Sequence, residues 1–178
     1  MVGENTLAGI DWLKLKRSLT REAFAQKYPV PFLLRKAPRA FPTPGGEEPP
    51  TAPSHLGFHT KVMDPTKPAP PPQRLPGVLV MPLTKAEGSA FAERISVGRA
   101  LNCDVVIRDE SVSKLHAYFR IVTATSAEVT DAKSANRTLV NAKIVEPGQT
   151  ARVAVGDTLI FGRVALQFMD AASTYDWI

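Results

Sequence analysis

The stretch ARVAVGDTLIFGRVALQFM (residues 151–169) decides the fold. It holds three short runs rich in β-branched and apolar residues, Ala151–Val155, Thr158–Phe161 and Val164–Met169. The turn pairs Gly156-Asp157 and Gly162-Arg163 separate them. Runs this short, closed by glycine turns, fold back as antiparallel strands. Moving upstream, the same rhythm predicts strands at Lys143–Val145, Leu139–Val140, Ala127–Thr130, Ala117–Val122, Val105–Ile107, Phe91–Val97 and Val78–Leu83. No strong helical period interrupts the series, so the expected class is an all-β antiparallel sandwich of about 10–11 strands.

Upstream of Gly77 the chain is a different polymer. Fourteen of the 16 prolines lie there, as does the whole net charge of +5, because residues 77–178 hold equal numbers of acids and bases. Within residues 10–28, Ile10, Trp12, Leu13, Leu15 and Leu19 recur mostly at three- and four-residue spacing, which predicts a helix or a broken helix pair. Thr20 reads as an N-cap, with Leu19 and Phe24 placed as a hydrophobic staple across it. Pro29 and Pro31 stop the helix, and an apolar tail Val30–Leu34 follows. The expected organisation is a helical segment 1–36, a Pro-rich linker 37–76, a sandwich domain 77–172 and a tail 173–178.

Composition removes several function classes. No apolar run approaches the ~20 residues that span a bilayer, so no transmembrane segment is expected. No basic region followed by an apolar core marks a secretory signal. Cys103 is the only cysteine, which forbids an intrachain disulfide and fits a reducing, cytoplasmic setting. His55 and His59 are four apart, but Pro53 and Gly57 argue against a helix that would align them on a metal. The basic helical arm lacks the interleaved aromatics of nucleic-acid folds, so nucleic acid is disfavoured there. Its apolar face suits docking onto a protein partner, onto another copy or onto the sandwich.

Four stretches of the β-rich half carry chemistry that converges: Gly98-Arg99, Ser113-Lys114-Leu115-His116, Ser134-Ala135-Asn136-Arg137-Thr138 and Val140-Asn141. They supply a guanidinium that binds phosphate bidentately, a hydroxyl beside an ammonium, and two amides suited to an extended peptide main chain. A phosphorylated side chain carries about −1.5 to −2 charges, which one Arg and one Lys nearly neutralise. Ser113 and His116, with Asp109 or Asp131, also suggest a hydrolytic triad, but no Gly-x-Ser-x-Gly elbow accompanies them.

These stretches, with Val129-Thr130-Asp131 and Gly156-Asp157 through Gly162, resemble the forkhead-associated (FHA) domain over residues 77–170. The resemblance implies a noncatalytic reader of phosphothreonine peptides, with no cofactor, acting downstream of a Ser/Thr kinase. Carried over residue by residue, Arg99, Ser113, Lys114, Asn136, Arg137 and Thr138 fall in the phosphopeptide-binding set. Gly98, His116 and Asn141 fall in its supporting frame. The alternative is a phospho-independent scaffold or oligomerisation module whose basic helical arm docks a protein partner or polyanion, or mediates self-association. Two departures stand out: the glycines usual after the two asparagines are Arg137 and Ala142 here. Glycine eases a left-handed turn, so a side chain at either place should strain or reshape the loop. Thr60 or Thr66 of the Pro-rich segment is a candidate phosphorylated ligand for such a reader.

Overall fold

The computed structural model describes residues 12–35, 79–89, 91 and 93–178. The Pro-rich segment, His55, His59, Thr60 and Thr66 lie outside the described residues.

Eleven strands form two sheets. In chain order they are β1 Phe32–Arg35, β2 Leu79–Pro82, β3 Ile95–Gly98, β4 Val105–Val106, β5 Ala117–Thr123, β6 Ser126–Asp131, β7 Thr138–Val140, β8 Lys143–Val145, β9 Thr150–Ala154, β10 Thr158–Phe161 and β11 Val164–Met169. One sheet runs β2-β1-β11-β10-β7-β8 and the other β4-β3-β5-β6-β9. The fold is the expected β-sandwich. Its one departure from an antiparallel pattern is the β3–β4 pair, which is parallel. Alternation is clear where one face meets the core: β11 buries Val164, Leu166 and Phe168, and β6 buries Ala127, Val129 and Asp131. The apolar residues among these, with Val97, Phe119, Leu159 and Phe161, form the core between the sheets.

The stretch read as an apolar tail is instead β1, at the interior of a sheet. Phe32, Leu33 and Leu34 pair with Pro82, Met81 and Val80 on one side and with Met169, Phe168 and Gln167 on the other. Leu33 joins the inter-sheet core, while Phe32 and Leu34 join a second cluster on the opposite face. A strand buried on both faces shows no polar alternation, which explains why the run looked like a tail.

The second cluster is where the helices pack. Helix α1 (Trp12–Ser18) and helix α2 (Arg21–Lys27) are the predicted broken pair. Thr20 caps α2, its hydroxyl accepting from Ala23 N at 3.2 Å. The last residues, read as a tail, form helix α3 (Ala171–Trp177), capped by Asp170, whose carboxylate accepts from Ser173 N at 2.8 Å. The first two helices and α3 meet there: Tyr175 Oη donates to Leu19 O at 2.9 Å, and Arg21 pairs with Asp176 at 3.1 Å. The apolar face of the arm is therefore covered from within the chain. Among the described residues, no helix is long and apolar enough to cross a membrane.

Candidate functional site

Three loops meet at one end of the sandwich. The β3–β4 loop is laid against the β4–β5 loop by main-chain bonds: Arg99 N donates to Ser113 O at 2.9 Å and Ala100 N to Lys114 O at 3.1 Å. Gly98 makes this possible. A Cβ there would lie 2.2 Å from Lys114 O and 3.0 Å from Cys103 Sγ, so any side chain would push the loops apart. The β6–β7 loop then closes on the β4–β5 loop. Ala135 N donates to Ser113 Oγ at 3.0 Å, and Asn136 Nδ2 donates to Ser111 O at 2.8 Å.

Arg99, Ser113, Lys114 and Asn136 are thus brought together by hydrogen bonds between neighbouring loops. Arg99 is half-buried, and its Nε donates to Val112 O at 3.2 Å, next to Ser113. Ser113 is 8% exposed; its hydroxyl accepts from Ala135 and keeps its proton to donate. Lys114 is exposed beside it.

His116 links two loops from beneath. Its ring is fully buried, with Nδ1 accepting from Ser113 N at 3.0 Å and Nε2 2.9 Å from Arg137 O. A ring nitrogen that accepts from an amide carries no proton, so Nε2–H is the donor and the ring is neutral. Burial lowers its pKa, against the opposing pull of the Arg137 carbonyl and the Asp131 charge. Phe161 packs edge-on against it, ring centroids 5.5 Å apart. This arrangement does not make the hydrolytic triad weighed above. His116 meets Ser113 through the backbone N–H, and the Ser113 hydroxyl faces Ala135 instead.

Thr138, expected in the binding set, is fully buried, and its Oγ1 donates to Asp131 Oδ2 at 2.7 Å, so its side chain braces the loop. Asn141 bonds to a neighbouring turn through both ends of its amide. Its Nδ2 donates to Asp157 Oδ1 at 2.7 Å and its Oδ1 accepts from Thr158 N at 2.9 Å, tying the β7–β8 turn to the β9–β10 turn.

Both glycine replacements keep the glycine conformation. Arg137 has φ 65° and Ala142 φ 64°, so the turns are strained and not reshaped. Asn141 and Ala142, both left-handed, form the two-residue connection between paired Val140 and Lys143, where Asn-Gly is the favoured pair. Ala142→Gly is expected to raise stability by about 1 kcal/mol, read as an upward shift in melting temperature.

Two buried carboxylates that organise the loops were not assigned from the sequence. Asp131, fully buried, accepts from Ser134 N (2.9 Å), Ser134 Oγ (2.6 Å) and Thr138 Oγ1 (2.7 Å). Asp109 accepts from Ser111 N and Oγ and pairs with Arg163 at 3.1 Å. Burial alone would raise the Asp109 pKa, but the Ser111 bonds and the Arg163 charge hold it below its usual value. The signal was available: Asp131-x-x-Ser134 and Asp109-x-Ser111 are spacings at which an Asp side chain caps its own turn. Among the described residues no group of three or more His, Cys, Asp or Glu side chains is placed to hold a metal.

A two-sheet β-sandwich with a polar, cation-bearing cluster on three loops at one end defines the class of protein. Residues 95–162 match the family model of the FHA domain. A search of curated proteins finds no match. Similar solved structures include EmbR from Mycobacterium tuberculosis in complex with a low affinity phosphopeptide, at 23% identity and TM-score 0.39, covering 44% of this chain and 20% of that one. The FHA domain of the CT664 protein from Chlamydia trachomatis is similar at 20% identity and TM-score 0.43, over 52% of this chain and 85% of that one. The FHA domain of an Arabidopsis thaliana hypothetical protein is similar at 20% identity and TM-score 0.41, over 52% and 73% of the two chains. This chain therefore spans one fifth of the EmbR chain's length.

Proposed function

We propose that this protein reads phosphothreonine peptides without catalysing a reaction, and so recruits proteins phosphorylated by a Ser/Thr kinase in the cytoplasm. The observation that carries the reading is the joining of three loops around Arg99, Ser113, Lys114 and Asn136. Arg99 offers a permanent charge with fork geometry, Lys114 a second charge and Ser113 a hydroxyl proton, which together match a phosphate dianion. Asn136 takes the peptide main chain beside it. His116, Gly98, Thr138 and Asn141 hold these groups in place before any ligand arrives, which lowers the ordering cost of binding.

The test is binding of a degenerate phosphothreonine peptide library to the intact chain, with its unphosphorylated counterpart as control. Arg99→Ala is expected to weaken binding at least about ten-fold, the loss that follows from removing one charge-assisted hydrogen-bonding partner. Raising the salt concentration should weaken the wild-type interaction. Equal capture of the unphosphorylated library, or no loss in Arg99→Ala, would favour the phospho-independent scaffold and overturn the reading.

A further inference from the structure

Arg137 occupies a place where its own conformation disfavours it. It stands at φ 65° between Asn136 and Thr138, with its carbonyl accepting from His116 Nε2 (2.9 Å) and Gly162 N (3.1 Å). Those bonds fix the backbone in the left-handed region, where a residue with a Cβ is strained and glycine is not. Strain alone would not single Arg137 out, because Ala142 shares it. What distinguishes Arg137 is the side chain placed there and how little it does for the fold. Its side chain is 25% exposed, and its Nη1 lies 3.6 Å from the carboxylate of Glu146, whose side chain is 68% exposed. A pair that long and that exposed adds little stability.

The charge balance of the site points the same way. A phosphate of about −1.5 to −2 is already matched by Arg99 and Lys114, so a third cation exceeds what the phosphate requires. Arg137 follows directly after the residue assigned to the peptide main chain, and guanidinium is the side chain best shaped for a carboxylate. Glu146 supplies a weakly held counter-charge that a peptide carboxylate can replace.

We infer that Arg137 is a specificity-determining residue that reads an acidic side chain flanking the phosphothreonine, on the part of the peptide that passes Asn136. The inference rests on the phosphopeptide reading above. It gives the partner a chemistry: a phosphothreonine with Asp or Glu close by in the sequence.

The experiment compares two degenerate phosphothreonine peptide pools by fluorescence anisotropy. One carries Asp and Glu at the flanking positions and the other Asn and Gln. Wild-type protein is expected to prefer the acidic pool by about three- to five-fold, the span of a partly exposed ion pair. Arg137→Gly should lose the preference and bind both pools alike, while its melting temperature rises because the strain is released. A wild-type protein that binds both pools equally overturns the inference and leaves the phosphopeptide reading standing. So does an Arg137→Gly variant that keeps the acidic preference, or one that loses the amide pool as well, which would put Arg137 on the phosphate. Failure of wild-type protein to bind either pool removes both readings.

Discussion

Phe24→Ala is expected to destabilise the whole folded unit by about 3–5 kcal/mol. Phe24 belongs to a helix that precedes the strands, yet it is fully buried, stacked on Phe32 of β1 with ring centroids 5.9 Å apart and planes at 27°. It also meets Tyr28 at 5.1 Å, Tyr175 at 5.7 Å and Trp12 at 6.2 Å. Its removal opens a cavity walled by α1, α2, α3 and the outer face of β1, and rings held by strands and helices cannot all collapse into it. Both tryptophans of the chain, Trp12 and Trp177, lie in this cluster. Urea unfolding followed by tryptophan fluorescence therefore reports the helices, while far-UV circular dichroism follows the strands as well. Coincident transitions, shifted together by Phe24→Ala, are the expected result. A lower fluorescence midpoint with an unchanged strand transition would show that the helices are an independent appendage.

Asp131→Ala is expected to cost at least about 3 kcal/mol and to abolish phosphopeptide capture. The carboxylate is fully buried and gathers three donors from residues 134 and 138, at the two ends of the loop that carries Asn136 and Arg137. Alanine leaves the Ser134 N–H without an acceptor in a place water does not reach, and deprives two hydroxyls of theirs. Each such group is costly to strand. The loop would lose the bonds that present Ala135 N to Ser113 and Asn136 to Ser111. Denaturant unfolding gives the stability change, and the phosphothreonine library gives the binding. A variant that unfolds at the wild-type midpoint would show that the Asp131 bonds contribute nothing net.

The strands from β2 to β11 were legible because they are short, rich in β-branched and apolar residues and separated by turn residues, and β8, β10 and β11 fall on the bounds the pattern predicts. Arg99, Ser113 and Asn136 were singled out for a different reason. Their order along the chain matches a pattern in which chemistry and spacing go together. Two things were hidden. β1 is apolar on both faces and pairs with partners far along the chain, so neither alternation nor a neighbouring turn announced it. Thr138 was read with the binding set because it follows Asn136 and Arg137 in the chain. Whether a loop hydroxyl turns outward to a ligand or inward to Asp131 depends on a third element that sequence spacing does not show.

The placement of β1 changes what counts as the minimal domain. β1 and β2 are hydrogen-bonded neighbours in register, Arg35 opposite Leu79, although 43 residues separate them in the chain. Residues 12–35 therefore belong to the same folded body as the strands from β2 onward. The region matched by the family model, residues 95–162, omits β1, β2 and β11. A chain begun at Gly77 would regain β2 and β11 but lose the strand between them. β2 would be left with no neighbour, β11 with a bare edge of unpaired amides and carbonyls, and both with a flank prone to pair with another molecule. Truncation by motif would therefore keep every residue of the loop cluster and remove the strand that seals the sheet behind it.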